Sequence, residues 1–311
     1  MAIVENTALT YSMIGNREDL VDQIYTISPT DTPFLARIGT TKSEGVKHEW
    51  QTDALAAAAA NAQLEGDDFS YGAVTPTTRV DNQCQISYKT CVVSGTQDAV
   101  KKAGRTKEMV YQIMKKSKEL RRDMEYIVTR NQAKVTGNST TARQLRSLEA
   151  WYTTNAQRGA TGANGSDSTA ATDGTQRALT EGLLKTGLQQ AWTAGGDVDL
   201  IMPGAFNKQV ISAFSGNTTR TTDSTGKKLI TAVDIYVSDF GTHQIVANRF
   251  SRDRTLHLLT TELWAIAYLR PMFTIDIAPT GDAAKGAILV EYTLEARNEA
   301  GSAVVADLTT S

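Results

Sequence analysis

The sequence predicts an α+β chain organised by one long helix and by strands that come together from distant parts of the chain. Three stretches carry that prediction. In "RTKEMVYQIMKKSKELRRDMEYIVTRNQ", Val110, Ile113, Ser117, Leu120, Met124 and Ile127 recur at three- and four-residue spacing, and Met109, Met114 and Val128 widen the stripe. In "VDNQCQISYKTCV", Val80, Cys84, Ile86, Tyr88 and Val92 share one parity while Asp81, Gln83, Gln85, Ser87 and Lys89 take the other, the alternation of a strand with one wet face. The end of the chain, from "TLHLLTT" through "LWAIAYL", "FTIDIA", "GAILVEYTLEARNE" and "SAVVADL", reads as strand after strand.

In chain order, residues 1–45 begin with a short helix around "REDLVDQIYTI". They continue into "SPTDTPFLARIG", where Pro29 and Pro33 break regular structure and leave an extended arm. From Val46 to Val93 two strands enclose an unbroken row of alanines, Ala56 to Ala60, poor in large apolar side chains, so this excursion reads as a long hairpin projecting from a body. Alanines favour helix by propensity but offer no large apolar face with which a helix holds a core. The amphipathic run follows, about 28 residues or roughly 42 Å if wholly helical. "RGATGANGSDSTAATDGT" then reads as a flexible surface loop. Beyond it "ALTEGLLKTGLQQAW" and "AFNKQVISAF" are helices around the short strand "DVDLIM", and after the polar loop "SGNTTRTTDSTGKK" come the strands "LITAVDIYVSDF" and "HQIVANRF".

The 311 residues are 41% hydrophobic and 21% charged, enough for a packed core of one large domain or two ordinary ones. The formal net charge of −2 argues against a chain that is basic throughout. From Lys101 to Lys134, however, 11 Lys and Arg face 4 Asp and Glu, a net of +7, so the remainder sums to −9. A solvated face paired with acidic neighbours is the plainer reading of that stripe, and attraction of nucleic acid the sharper one. No run of about 18 apolar residues is present to span a membrane, and no cationic start leads into an apolar run as in a secretion signal. Cys84 and Cys91, seven residues apart on a strand-like segment, are expected to be free thiols on opposite faces.

Chemical signatures fail in turn. "HEWQT" opens like a zinc-protease helix, but Thr52 stands where the second histidine is required. "TGKK", Thr225–Lys228, resembles the end of a phosphate loop without its leading glycine or its final Ser or Thr. Ser94 precedes Gly95, but Val92 fills the other glycine position of a nucleophile elbow. Asp67 and Asp68 form a solvated acidic turn, and His48, His243 and His257 are scattered. The expectation is therefore no catalytic residue, no cofactor and no metal site.

The order of parts, with "DLVDQIYTISPTDTPFLARIG", "HEWQTDALA" and "EYTLEARNEAGSAVVADL" spread over three regions, resembles the major capsid proteins of tailed bacteriophages. The resemblance implies the HK-ninety-seven-like phage capsid fold: an N-arm over 1–45, an extended loop over 46–95 that overlaps a neighbouring subunit, and a peripheral domain over 96–178 with a spine helix at about 101–134. An axial domain over 179–255 and return strands of the peripheral domain over 256–311 complete it. It implies a structural protein that self-assembles into hexamers and pentamers of an icosahedral head around double-stranded DNA, in the virion and, during assembly, in the host cytoplasm. Its partners would be copies of itself, a portal protein, packaged DNA bound without sequence preference, and separate scaffolding or decoration proteins where these exist.

In that frame the alanine-rich tip lies on another subunit, with Trp50, Leu55, Leu64 and Phe69 as its anchors. Some members of the family join subunits by a lysine–asparagine bond through this loop. Here no lysine lies between Lys47 and Lys89, so a noncovalent shell is expected. The chain begins close to its arm, so a separate scaffold, or none, is expected rather than a long N-terminal scaffolding segment. The rival readings are a bacterial nanocompartment shell, a soluble hydrolase, and a nucleic-acid-binding module using the basic helix.

Overall fold

The structure is a computed structural model that describes residues 29–68, 71–214 and 234–311. The helix expected around residues 17–27, the "TGKK" turn and the start of "LITAVDIYVSDF" lie outside the described residues. In chain order the elements are β1 (Gly39–Lys42), β2 (Lys47–Thr52), β3 (Thr78–Gln83), β4 (Gln85–Ser94), α1 (Gly95–Ala99), α2 (Glu108–Thr129), α3 (Leu148–Trp151) and β5 (Ala156–Gln157). Then come α4 (Glu181–Thr193), β6 (Leu200–Met202), α5 (Ala205–Ser212), β7 (Ile235–Ser238), β8 (Gly241–Ile245), β9 (Leu256–Leu259), β10 (Trp264–Ile277), β11 (Ala283–Ala296) and β12 (Ala303–Val305).

Among the described residues three sheets result. A four-stranded sheet runs β1-β10-β11-β4, a six-stranded sheet runs β5-β12-β9-β6-β8-β7, and β2 pairs with β3. Two apolar cores result, and the six-stranded sheet contributes to both, with Leu200, Met202, Leu259 and Val304 in the first and Ile201, Leu258 and Val305 in the second. Leu120, Met124 and Val128 of α2 pack with Phe34, Ile266, Val290, Tyr292 and Leu294. Leu184 and Leu188 of α4 and Ile211 of α5 pack with Ile201, Leu258 and Val305. Each such side chain, taken fully out of water, contributes about 1.5–3 kcal/mol.

The dominant helix is shorter than its periodicity suggested. It covers 22 residues, roughly 33 Å at 1.5 Å per residue. Lys107 at its N-cap supplies no side-chain bond. Asp98, ten residues upstream, does so instead: its Oδ1 accepts from the Glu108 amide at 2.9 Å. At the other end Arg130 is already extended. Asn131 and Gln132 commit their side chains to the carbonyls of Ala171 and Leu145, which draws the chain off the helix axis.

The alternating stretch 80–92 is not one strand. It breaks at Cys84 into β3, the return arm of the hairpin, and β4, an edge of the four-stranded sheet. The buried Asn82 side chain marks the switch, donating to the carbonyls of Arg146 and Leu294 at 3.0 and 2.7 Å and accepting from the Arg146 amide at 2.7 Å. The β2–β3 pairing therefore spans residues 47–83, ending short of the Val46 to Val93 excursion read from sequence. Both cysteines are free thiols, Cys84 buried and Cys91 half-buried. "LWAIAYL" and "FTIDIA" are one strand, β10, whose pairing with β11 slips at Tyr268–Arg270 and again at Arg270–Phe273. Pro271 sits in that bulged stretch, beyond the reach of β1, where its missing N–H interrupts no ladder.

The Gly-rich stretch 158–175 lies on the surface, yet it is tied to the closing residues of the chain rather than left loose. Asp307, fully buried at φ +59°, accepts from the amides of Gly159 and Gly174 at 2.9 Å each and from Arg254 at 2.6 Å. Burial alone would push its carboxyl up, but those amides and the guanidinium outweigh burial and hold it below the usual carboxylate range. Gly174 is required there because a Cβ would meet the Ala160 carbonyl at 2.7 Å. Replacing Asp307 by Ala leaves the amides of Gly159 and Gly174 without that acceptor and Arg254 with Asp173 and the Gly174 carbonyl. Denaturant unfolding is expected to show a loss of roughly 2–5 kcal/mol, the scale of two unsatisfied buried donors. An exposed change in the same stretch, Ser168→Ala, is expected to cost less than about 1 kcal/mol.

Candidate assembly surface

The β2–β3 hairpin is held at its root. Trp50 donates its indole N–H to the Ala296 carbonyl at 2.8 Å and stacks at a tilt on Trp151, ring centroids 5.7 Å apart. His48 Nε2 lies 3.0 Å from Glu295 Oε2, which also accepts from Thr41 Oγ1 at 2.8 Å, while Arg297 Nε donates to Oε1 at 3.0 Å. Lys134 bridges Asp81 and Asp167, each at 2.6 Å. Arm, hairpin and β11 thus meet at one carboxylate. The bond to His48 is the largest cause that lowers the Glu295 carboxyl to about 2; burial opposes it, and Arg297 and Thr41 add to the lowering.

Beyond the root the hairpin loses its cover. Residues 53–68 and 71–77 have no helix or strand, and all are exposed, the five alanines included. Leu55 is 99% and Leu64 80% exposed, and Tyr71 and Val74 are as bare. Of the four anchors read from sequence, Trp50 sits at the root against its own chain, Leu55 and Leu64 stand exposed on the loop, and Phe69 lies outside the described residues. Sequence reading passed over Tyr71 and Val74, which their isolation among small and polar residues could have flagged.

The second uncovered surface reverses an expectation. Ile86, Tyr88 and Val92 were to face a core, with Gln85, Ser87 and Lys89 in water. Instead Tyr88 is 64% and Val92 61% exposed, and the polar parity is the half-buried one. The reason is α2. It lies on the polar side of β4, where Lys89 pairs with Asp123 of α2 at 2.6 Å and Cys91 touches Met109. Gly286, opposite Cys91, admits the helix, since a Cβ would meet Met109 at 2.7 Å. The apolar parity therefore points away from the helix that covers this sheet.

Neighbouring strands extend that bare face. Directly paired residues share a side of the sheet, so Tyr88, Leu289 and Phe273 form one row, Thr90, Ala287 and Ile275 the next, and Val92, Lys285 and Ile277 a third. Phe273, Ile275 and Ile277 are all exposed. A contiguous apolar face of this kind marks an interaction surface. A third patch lies on the six-stranded sheet, where edge strand β7 exposes Ile235 and Val237 and Trp192 packs on Phe240 at 5.3 Å between centroids.

The histidines are structural. His243 bonds the Val198 carbonyl and Ser238 Oγ, each at 2.6 Å. His257 is fully buried beside Tyr152, and burial, with Arg252 and Arg158, lowers it to about 3, so it stays neutral. Among the described residues no three His, Cys, Asp or Glu side chains gather as metal ligands, and no helix is long and apolar enough to cross a membrane. Ser94 is an N-cap, accepting from the Gln97 amide at 3.2 Å.

Comparison with known proteins agrees with this geometry. The family model described as SU10 major capsid protein matches residues 4–309. The major capsid protein of Escherichia phage Phieco32 is 27% identical over 337 aligned positions, covering 96% of each chain. Among solved structures, the capsid asymmetric unit of cyanophage A-1(L) superposes with a TM-score of 0.67 at 15% identity, covering 95% of this chain and 98% of that one. The SrpI encapsulin complex of Synechococcus elongatus PCC 7942 gives 0.57 at 11% identity, over 96% and 94%. Both likenesses are of fold, HK-ninety-seven-like, as expected from the sequence.

A pH dependence follows from the root of the hairpin. Glu295 is depressed in the folded chain, so the stability it contributes is complete above about pH 4.5, its unperturbed value, and is lost as pH falls toward about 2. Melting curves between those limits are expected to show a shallower fall for Glu295→Gln than for the parent chain. Equal slopes would remove Glu295 as the acid-labile group.

Proposed function

Since the chain belongs to the SU10 major capsid protein family, we propose that it closes an icosahedral phage head by laying the 53–77 loop of one copy on the bare β4–β11–β10 face of the next. One observation carries the proposal: an apolar sheet face, Tyr88, Val92, Phe273, Ile275 and Ile277, that stays exposed among the described residues. The loop supplies what such a face needs. Its alanines allow close backbone approach, and Leu55, Leu64, Tyr71 and Val74 offer apolar anchors. Because loop and face are different surfaces, the contact is heterologous and repeats around a ring. The β7 edge with Trp192 and Phe240 would meet its equivalents toward the centre of hexamers and pentamers.

In this reading the chain encloses double-stranded DNA, catalyses nothing and needs no cofactor. Contacts with DNA are sequence-independent and weaken with salt. Assembly takes place in the host cytoplasm, with a portal protein at one vertex and with separate scaffolding or decoration proteins where these exist. The tip has no lysine to serve as a nucleophile, so the shell is noncovalent. The encapsulin likeness is one of fold at 11% identity, whereas the family match and the curated relative both point to a phage head.

Tyr88→Ser with Val92→Ser should leave folding within roughly 1 kcal/mol, both residues being exposed, while abolishing closed shells in negative-stain images. Leu55→Asp with Leu64→Asp should do the same from the other side of the contact. Shells formed by both double variants would overturn the proposed contact. Mature particles are expected to run as a single monomer band on denaturing gels, and a ladder would refute the noncovalent shell.

A further inference from the structure

The other side of the four-stranded sheet carries an uncovered feature of different character. Between α2 and the bulged stretch of β10, where β1 ends, lies a groove of about 490 Å³. Leu35, Tyr268, Pro271 and Met272 form its apolar floor, and Lys118 and Arg121 stand exposed on its helical rim. The acids of α2 are committed elsewhere. Glu108 pairs with Arg105, Glu119 with Lys116 at 2.8 Å and Asp123 with Lys89 at 2.6 Å, while Glu125 is buried on the arm amides. That leaves Lys118 and Arg121 outside every ion pair among the described residues.

Such a groove calls for an apolar side chain set next to carboxylates. A nucleic-acid backbone satisfies the rim but places nothing on the floor. The tip of the 53–77 loop has both. From Asp53 to Thr78 the chain holds four acids, Asp53, Glu65, Asp67 and Asp68, and no Lys or Arg. The Asp67 amide donates to the Leu64 carbonyl at 3.3 Å and Gly66 sits at φ +84°, so Leu64–Asp67 is a turn with glycine at its left-handed position. The turn keeps Leu64 within a few residues of three carboxylates. Residues 61–68 are exposed throughout, Leu64 at 80%, so its own chain gives Leu64 no cover.

The groove is within reach of a loop that lies on the bare face. β1 pairs with β10 from Ala265 to Tyr268, and beyond Tyr268 that edge of β10 is unpaired among the described residues. Phe273, Ile275 and Ile277 belong to the bare face and Met272 to the groove, one on each side of the same stretch. From Leu55 to Leu64 the chain spans up to about 30 Å, against the roughly 10 Å that separates packed layers.

We propose that the Leu64–Asp68 turn of one copy hooks over the free edge of β10 on the next copy and seats in its groove. Leu64 rests on Tyr268 and Met272, and Glu65 and Asp67 face Lys118 and Arg121. This rests on the loop-to-face contact proposed above and completes it: Leu55, Tyr71 and Val74 cover the bare side of β10 while the tip closes on the α2 side. The acidic tip is then the partner that the unpaired cations of α2 lack in their own chain.

The test uses full-length chains, Leu64→Cys in one and Met272→Cys in the other, co-expressed, oxidised after purification and run on non-reducing gels. Each variant alone controls for Cys84 and Cys91. A dimer band that requires both variants is expected. Lys118→Glu with Arg121→Glu in the Met272→Cys chain should lower its yield roughly three- to tenfold, the scale of one or two partly exposed ion pairs. Glu65→Lys with Asp67→Lys in the Leu64→Cys chain should restore it. A second pair, Leu55→Cys or Val74→Cys with Tyr88→Cys, reports the bare-face contact separately. A bare-face dimer without the tip dimer would overturn the groove contact and leave the loop-to-face contact standing. A tip dimer without any bare-face dimer would do the reverse, and the absence of both would overturn both. A faster-migrating monomer from a chain carrying Leu64→Cys and Met272→Cys, with no dimer on co-expression, would return the tip to its own chain and overturn the proposal. So would a tip dimer indifferent to the charge reversals, with those reversals instead abolishing retention of double-stranded DNA.

Discussion

The structure depends on a mismatch of lengths. β10 and β11 each run 14 residues, about 46 Å at 3.3 Å per residue. The helix that covers their sheet is roughly 33 Å long and about 10 Å across. It cannot shield four strands, and it lies on one side only. Burial along β10 records the consequence, with Trp264–Ala267 fully enclosed and every residue from Arg270 to Ile277 exposed. A monomer cannot complete this core with α2 alone. What remains apolar and bare among the described residues is a face that another surface could cover.

Buried carboxylates tie together parts that apolar packing also brings into contact. Glu125 of α2 accepts from the amides of Phe34 and Leu35 at 2.8 and 2.9 Å and from Asn248 at 2.6 Å, so arm, helix and the β8–β9 connection converge on one side chain. Burial raises its carboxyl despite those donors. A raised acid contributes stability at low pH that is lost as pH rises through the folded value, so Glu125 is a cost near neutrality. Glu149 is similar: Arg252 reaches both its oxygens at 3.0 Å, yet burial still pushes it up. Such groups are poor sources of stability compared with apolar side chains. Each fixes an angle between elements through several directional bonds, which suits a subunit whose neighbours must meet it at defined orientations.

Element identity was legible wherever local periodicity and burial agree. The helices α2, α4 and α5 and the strands β9, β11 and β12 fall where spacing places them, and the order of parts carried the fold resemblance. What was not legible depends on long-range choices. The strand switch at Cys84 is decided by Asn82 meeting Arg146 and Leu294, partners 64 and 212 residues away. The early end of α2 is decided by hydrogen bonds to residues 145 and 171. The pinning of the Gly-rich loop needs Asp307, more than 130 residues downstream. Trp50 was readable as an anchor, but the Ala296 carbonyl it serves was not.

The reversed face of β4 shows the deeper limit. Alternation states that one side of a strand prefers to leave water, and Ile86, Tyr88 and Val92 state it clearly. It does not state which chain provides the cover. In a monomeric domain the apolar parity and the helix-facing parity coincide, so the pattern is ordinarily read as one fact. Here they separate, because α2 takes the polar parity through Lys89–Asp123 and the close approach at Gly286. A strand whose helix lies on its polar side therefore keeps its strongest apolar signal for a partner. The alanine row obeys the same logic: a segment with helical propensity but no large apolar face of its own is irregular and exposed here.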